Sequence, residues 1–184
     1  MQFEVEQKHP VDDVPALVAR LAERGVKLGS PIDQVDQYFS HPARDFAKTD
    51  EALRIRTAGD KSYVTFKGPK LDTATKTRRE LELPLDTNDA DGSRFAELLR
   101  ALGFKPVAEV QKSRRPFRIN YNGREVEGAL DDVEGVGTFV ELELQSDDAS
   151  LHAAQQVIAE LAADLNLEPT ERRSYLELLL ERQP

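Results

Sequence analysis

The sequence predicts an α+β fold: an antiparallel β-sheet whose apolar side is covered by amphipathic helices. Three observations predict it. Short stretches along the chain alternate polar and apolar residues with the two-residue period of a strand. The polar positions in those stretches are mostly charged and of both signs. Segments with apolar residues at helical spacing stand between and after them and supply matching stripes. At 184 residues the chain can bury one core of good size, so residues 1–184 are read as one domain.

The first strand runs from Gln2 to Lys8, with Glu4, Glu6 and Lys8 on one face and Phe3 and Val5 on the other. Two carboxylates about 7 Å apart, by the rise of roughly 3.3 Å per residue, suit one or two divalent cations, and the ammonium beside them suits an anion. A helix follows, capped by Asp12 or Asp13, with Pro15 in its first turn, Leu17, Val18 and Leu21 as its stripe and Gly25 at its end. Residues 26–41 read as extended on the β-formers Val35, Tyr38 and Phe39, and His41 to Asp45 as a turn or irregular link. Ala52 to Arg56 sets Arg54 and Arg56 opposite Leu53 and Ile55, and Ser62 to Lys67 is its hairpin partner. A polar loop after Gly68-Pro69-Lys70 leads to a strand over 77–85, with Arg78, Glu80 and Glu82 opposite Leu81, Leu83 and Leu85.

In the second half, a helix over 89–102 carries Phe95, Leu98, Leu99 and Leu102 on one side and stops at Gly103. Val107 to Ile119 is a strand with Lys112 and Arg114 on one face, its far end blurred by Pro116. Tyr121-Asn122-Gly123 is a hairpin turn, and the strand after it groups Glu125, Glu127 and Asp131. On the next strand Glu141 and Glu143 oppose Val140, Leu142 and Leu144. Leu151, Val157, Ile158, Leu161 and Leu165 mark an amphipathic helix, and a last helix starts near Thr170 and contains Tyr175, Leu176, Leu178, Leu179 and Leu180.

Composition excludes several functions. Without cysteine there is no disulfide framework, thiolate zinc cage or thiol nucleophile, which fits a reducing cytoplasm. His9, His41 and His152 have no mutual metal spacing. A net charge of −9 argues against a nucleic-acid partner, since such binding rests on uncompensated Lys and Arg. No apolar run approaches the roughly 20 residues of a membrane span, and the N-terminus lacks the apolar region of a leader. An anion ligand must therefore find a local basic pocket. The charged faces allow two arrangements: an open sheet or sandwich with charges in water, or a closed barrel with charges lining a wet lumen. Periodicity does not choose between them.

Glu4-x-Glu6-x-Lys8 at the N-terminus resembles the ExExK signature of the CYTH superfamily, the triphosphate tunnel metalloenzymes. The order of the remaining segments is similar too: Leu53-Arg54-Ile55-Arg56, Phe66-Lys67-Gly68-Pro69, Arg78-Arg79-Glu80-Leu81-Glu82, Lys112-Ser113-Arg114, Leu130 through Glu143, and Arg173-Ser174-Tyr175-Leu176. Together they span essentially the whole chain. The stretch from Tyr38-Phe39 to Arg56 and the Arg-Ser-Tyr ending look most like the class IV adenylyl cyclases, a branch near which triphosphatases also stand, thiamine triphosphatase among them.

The resemblance implies an eight-stranded antiparallel barrel, the triphosphate tunnel, with amphipathic helices packed outside. It implies that Lys8, Arg54, Arg56, Lys67, Arg78, Lys112 and Arg114 bind the triphosphate, whose roughly four negative charges suit charge-assisted hydrogen bonds. Glu4, Glu6, Asp131 and Glu141 are the implied ligands of Mg²⁺ or Mn²⁺, and Glu4, Glu6, Lys8 and Glu141 the implied catalytic set. Glu80, Glu82, Glu125, Glu127 and Glu143 either support the metal ligands from behind or simply balance charge, and charge balance is the preferred reading. The implied reaction converts ATP to 3′,5′-cyclic AMP and pyrophosphate. Hydrolysis of tripolyphosphate, thiamine triphosphate or a nucleoside triphosphate is the alternative. A non-catalytic polyphosphate or nucleotide binder is a third reading, against which the carboxylates count. Family habit adds a homodimer.

Overall fold

The computed structural model describes residues 2–69, 78–86, 89, 91–147 and 149–182. The elements run β1 (Gln2–Pro10), α1 (Val14–Glu23), β2 (Ile32–Ser40), α2 (Phe46–Thr49), β3 (Ala52–Ala58), β4 (Lys61–Lys67), β5 (Glu80–Pro84), α3 (Ser93–Ala101), β6 (Lys105–Tyr121), β7 (Arg124–Val133), β8 (Gly137–Asp147), α4 (Leu151–Asp164) and α5 (Tyr175–Arg182). Residues 70–77, which hold the polar loop and the predicted start of the fifth strand, lie outside the described residues, as do Ala90 and the side chain of Phe3.

All eight strands join one antiparallel sheet in the order β1-β8-β7-β6-β2-β3-β4-β5. An isolated bridge between Glu4 on β1 and Arg78, just before β5, links the two edges, so the sheet curls back on itself into a barrel-like trough. Alternation then gives every strand an inner, charged side and an outer, apolar side. The outer residues Val5, Phe117, Ile119, Val126, Leu130, Val140, Leu142 and Leu144 pack under Leu17 and Leu21 of α1 and Ala154, Val157, Ile158 and Leu161 of α4. Phe39 and Ile55 pack under Ala96 and Leu99 of α3. Each fully buried aliphatic side chain contributes about 1.5–3 kcal/mol, and this outer layer is what offsets the charged interior.

The last helix is placed differently. Tyr175 and Leu178 of α5 pack on Tyr38, Val110, Val133 and Phe139, which share strand faces with Asp36, Lys112, Asp131 and Glu141. The helix therefore covers one end of the inner face.

Local sequence explains the boundaries. Asp13, of the two candidate aspartates, caps α1 by accepting from the Ala16 amide at 2.9 Å. Asn122 and Gly123 both take positive φ, 50° and 76°, as a two-residue turn that follows the sheet's twist requires. The predicted hairpin of β3 and β4 is present, with Ile55 opposite Val64. The extended reading of 26–41 narrows to β2, and the short α2 follows the link.

Two departures have physical causes. Pro116 does not end β6, which continues to Tyr121. The ladder with β2 stops at Ile32 and Arg114, so the missing proline N–H falls where no partner strand remains, and its carbonyl accepts from Gly29 at 2.7 Å. The helix predicted over 89–102 is Ser93–Ala101, because the Asp89 carboxylate sits before it and accepts from the Arg94 and Phe95 amides, both at 2.9 Å. Its buried positions are Ala96 and Leu99, while Leu98 and Leu102 are exposed. No helix among the described residues is long and apolar enough to cross a membrane.

Gly128 stands opposite Phe117 on adjacent strands, and a Cβ there would lie 2.2 Å from the ring. Gly128→Ala is expected to displace the buried ring and lower stability by about 1–3 kcal/mol, a fall of several degrees in melting temperature. A melting temperature equal to that of the wild type refutes the contact.

Candidate functional site

The inner face encloses a cavity of about 610 Å³. Each strand delivers its charges by alternation: Glu4, Glu6 and Lys8 from β1, Glu141 and Glu143 from β8, Lys112 and Arg114 from β6, Arg54 and Arg56 from β3, Lys67 from β4 and Glu80 from β5, with Arg78 beside them. Asp131 of β7 and Asp36 of β2 lie behind this lining at 0% and 1% exposure.

Glu4, Glu6 and Glu143 form a close carboxylate group, each offering an oxygen within 4.8 Å of the others. Burial pushes the Glu4 carboxyl well above its ordinary range, and Glu143 and Glu80 add to this against the pull of Lys67. Glu143 is pushed up to about 7 by burial, with Glu141 and Glu6 reinforcing and Arg114 opposing. Glu80 is held down at about 2 despite its burial, because it receives a hydrogen bond from Glu4 and faces Lys67 and Arg54. Its oxygen lies 2.5 Å from Lys67 Nζ, which is 3.6 Å from Glu4. Three crowded hard oxygen donors, of which burial pushes Glu4 and Glu143 toward protonation, fit a divalent ion.

The basic groups are held from behind. Asp131 accepts from Arg114 Nε and Nη2, both at 2.7 Å, and from Lys112 Nζ at 3.3 Å. Arg114 also reaches Glu141. Asp36 accepts from Arg56 at 2.6 and 2.7 Å and from Arg54 at 3.3 Å. Burial would raise its carboxyl, but the two guanidinium groups outweigh burial and hold it well below the usual range. Lys112 is lowered to about 8 by burial and by Arg114 and Arg56. Lys8, 1% exposed, donates to the Arg173 carbonyl at 2.6 Å.

Ten of the residues singled out in the sequence line this one cavity: Glu4, Glu6, Lys8, Arg54, Arg56, Lys67, Arg78, Lys112, Arg114 and Glu141. Asp131 is placed apart from the carboxylate group and neutralises Arg114 and Lys112, while Glu143, read as charge balance, joins Glu4 and Glu6. Glu125 and Glu127 share the face of Asp131 but lie at the exposed end of β7, paired with Arg118. Sequence reasoning missed Asp36 and the placement of Tyr175, which lines the cavity and donates to Asp131 at 3.0 Å. Alternation with Tyr38 was the available signal for Asp36; Tyr175 comes from a helix whose docking no local pattern reveals.

A family pattern described as the CYTH domain matches residues 2–175. The chain belongs to the CYTH family. A candidate adenylate cyclase of Methanocaldococcus jannaschii is 37% identical to this CYTH chain over 181 residues, covering 96% of it and 98% of the relative. Adenylate cyclase CyaB of Aeromonas hydrophila is 31% identical over 189 residues, covering 96% and 88%. The solved structure of a Pyrococcus horikoshii protein, 38% identical, superposes with a TM-score of 0.85 over 98% of this CYTH chain and 99% of its own.

The protonation of Glu143 makes stability depend on pH. Between its ordinary 4.5 and its folded value of about 7, the folded chain holds a proton that the unfolded chain has released, so stability falls as pH rises. Above about 7 both states have released it and the loss is complete. Glu4 acts in the same direction. In urea melts with a chelator present, Glu143→Gln is expected to reduce the fall by a few kcal/mol. An equal fall in both proteins refutes the assignment.

Proposed function

We propose that this CYTH domain is a metal-dependent enzyme acting on a triphosphate, and that it cyclises ATP to 3′,5′-cyclic AMP and pyrophosphate. The observation that carries the reading is that one cavity gathers a cluster of carboxylates together with cationic side chains from several strands. Glu4, Glu6 and Glu143 gather on β1 and β8. Arg54 and Arg56 stand on β3, which lies opposite β8 in the strand order. A polyanion and a divalent cation can thus be held face to face.

Lys67, Arg54, Lys112 and Arg114 bind the phosphate oxygens through charge-assisted hydrogen bonds. Asp36 and Asp131 grip the guanidinium groups from behind, so their planar forks are oriented before substrate arrives. Glu4, Glu6 and Glu143, with Glu141 beside them, would hold Mg²⁺ or Mn²⁺. When bound, the ion supplies charge that acidifies a hydroxyl and offsets the charge developing on the leaving phosphate. The carboxylate group is what a mere anion binder does not need. That one relative matching nearly the whole chain is named adenylate cyclase, and another a candidate adenylate cyclase, supports ATP as substrate.

Incubation with ATP and Mg²⁺ or Mn²⁺ is expected to yield cyclic AMP and pyrophosphate. Inorganic phosphate from ATP or tripolyphosphate, with no cyclic product, assigns terminal hydrolysis instead and overturns the cyclase. Glu6→Gln keeps the volume and removes a ligand charge, so it is expected to lower kcat at least a hundredfold with an unchanged circular dichroism spectrum. Wild-type turnover in that variant refutes the carboxylate assignment.

A further inference from the structure

We propose that Tyr175 is a positioning residue: its ring face holds Lys8 and Lys112 at the spacing in which they meet a triphosphate. The inference rests on the reading of the cavity as a triphosphate site.

The two ammonium groups come from strands that are not neighbours, yet they share one ring. Lys8 Nζ on β1 lies 3.9 Å from the ring centroid and Lys112 Nζ on β6 lies 5.0 Å from it. Both lysines are almost wholly buried, at 1% and 6% exposure. The ring itself is pinned on several sides. Its hydroxyl donates to Asp131 at 3.0 Å, the carboxylate that also holds Lys112 and Arg114. Phe139 packs against it edge-on with centroids 5.4 Å apart.

The backbone fixes it as well. Ser174 and Glu177 cap the start of α5 reciprocally, the Ser174 amide donating to Glu177 at 2.6 Å and the Glu177 amide to Ser174 Oγ at 3.1 Å. Lys8 donates to the Arg173 carbonyl at 2.6 Å, and its own carbonyl accepts from the Glu171 amide at 2.7 Å. Tyr175 therefore enters the cavity at one register relative to β1.

An aromatic ring suits this position for an electrostatic reason. Buried ammonium groups repel each other strongly at low dielectric. A further carboxylate between them would cancel their charge and compete for the N–H donors a phosphate needs. A ring face attracts cations through its quadrupole and carries no net charge, so the positive potential stays available to the substrate.

The test compares the wild type, Tyr175→Phe and a protein carrying pentafluorophenylalanine at the same position, whose ring keeps its shape while its quadrupole is reversed. Tripolyphosphate binding is measured by calorimetry in a chelator, KM and kcat with ATP and metal, and folding by melting temperature. The Phe variant is expected to bind within about threefold of the wild type, whereas the fluorinated ring weakens binding about fivefold or more and raises KM by the same factor with kcat little changed. Equal binding by the Phe and fluorinated proteins overturns the inference, as does a loss that follows melting temperature in both. Tripolyphosphate binding without any product from ATP overturns the cyclase assignment alone. Failure of the wild type to bind tripolyphosphate overturns the triphosphate reading and this inference together.

Discussion

The burial of two aspartates, Asp36 and Asp131, is the constraint on which the rest of the structure depends. Each is almost fully removed from water, and each holds two cationic side chains, Arg54 and Arg56 for the one, Lys112 and Arg114 for the other. Without them each of these buried cations would lose a counter-ion, a loss of roughly 3–5 kcal/mol for a broken buried pair. Both aspartates stand directly opposite their arginine in strand register, Asp36 across from Arg56 and Asp131 across from Arg114. A slip of one residue on either ladder would send one member of each pair to the outer face. Register is thus specified twice, by apolar packing outside and by ion pairing inside.

The same arrangement explains why the carboxylates of β1 and β8 behave differently. Asp36 and Asp131 have arginines at hydrogen-bond distance, whereas Glu4, Glu6 and Glu143 crowd one another, and burial is the dominant influence on Glu4 and Glu143. Asp36 is held ionised by its two arginines and is a fixed support, whereas Glu4 and Glu143 are pushed toward protonation by burial. A site that binds a metal and a polyanion together needs both kinds within one cavity. The outer helices α1, α3 and α4 supply the apolar burial that makes such an interior tolerable, while α5 adds Tyr175 to it from one end.

Much of this was legible in the chain. Glu4, Glu6 and Lys8 share a face for no reason but strand geometry, and the same holds for Arg54 with Arg56 and Lys112 with Arg114. The strands were legible because one face had to be apolar for α1 and α4 to cover. Where the reading went astray, the deciding partner was distant. Leu98 and Leu102 fit a helical stripe, yet the sheet beneath α3 is met by Ala96 and Leu99. Pro116 blurs the far end of its strand in the sequence, yet β6 runs on through it to Tyr121, because the strand beside it had already ended.

The sequence by itself determined which side chains face inward, because alternation along a strand is a local consequence of backbone geometry. It also determined that the interior would mix both signs of charge, and the resemblance of its motifs named the family. Which charges meet was decided only by tertiary structure. Asp131 and Glu143 both point inward, but the ladder of β6 with β7 delivers Asp131 to Arg114, and the ladder of β1 with β8 sets Glu143 across from Glu6 and near Glu4. Curl and register are properties of the whole sheet, and a carboxylate is a counter-ion or a metal ligand according to what stands across from it.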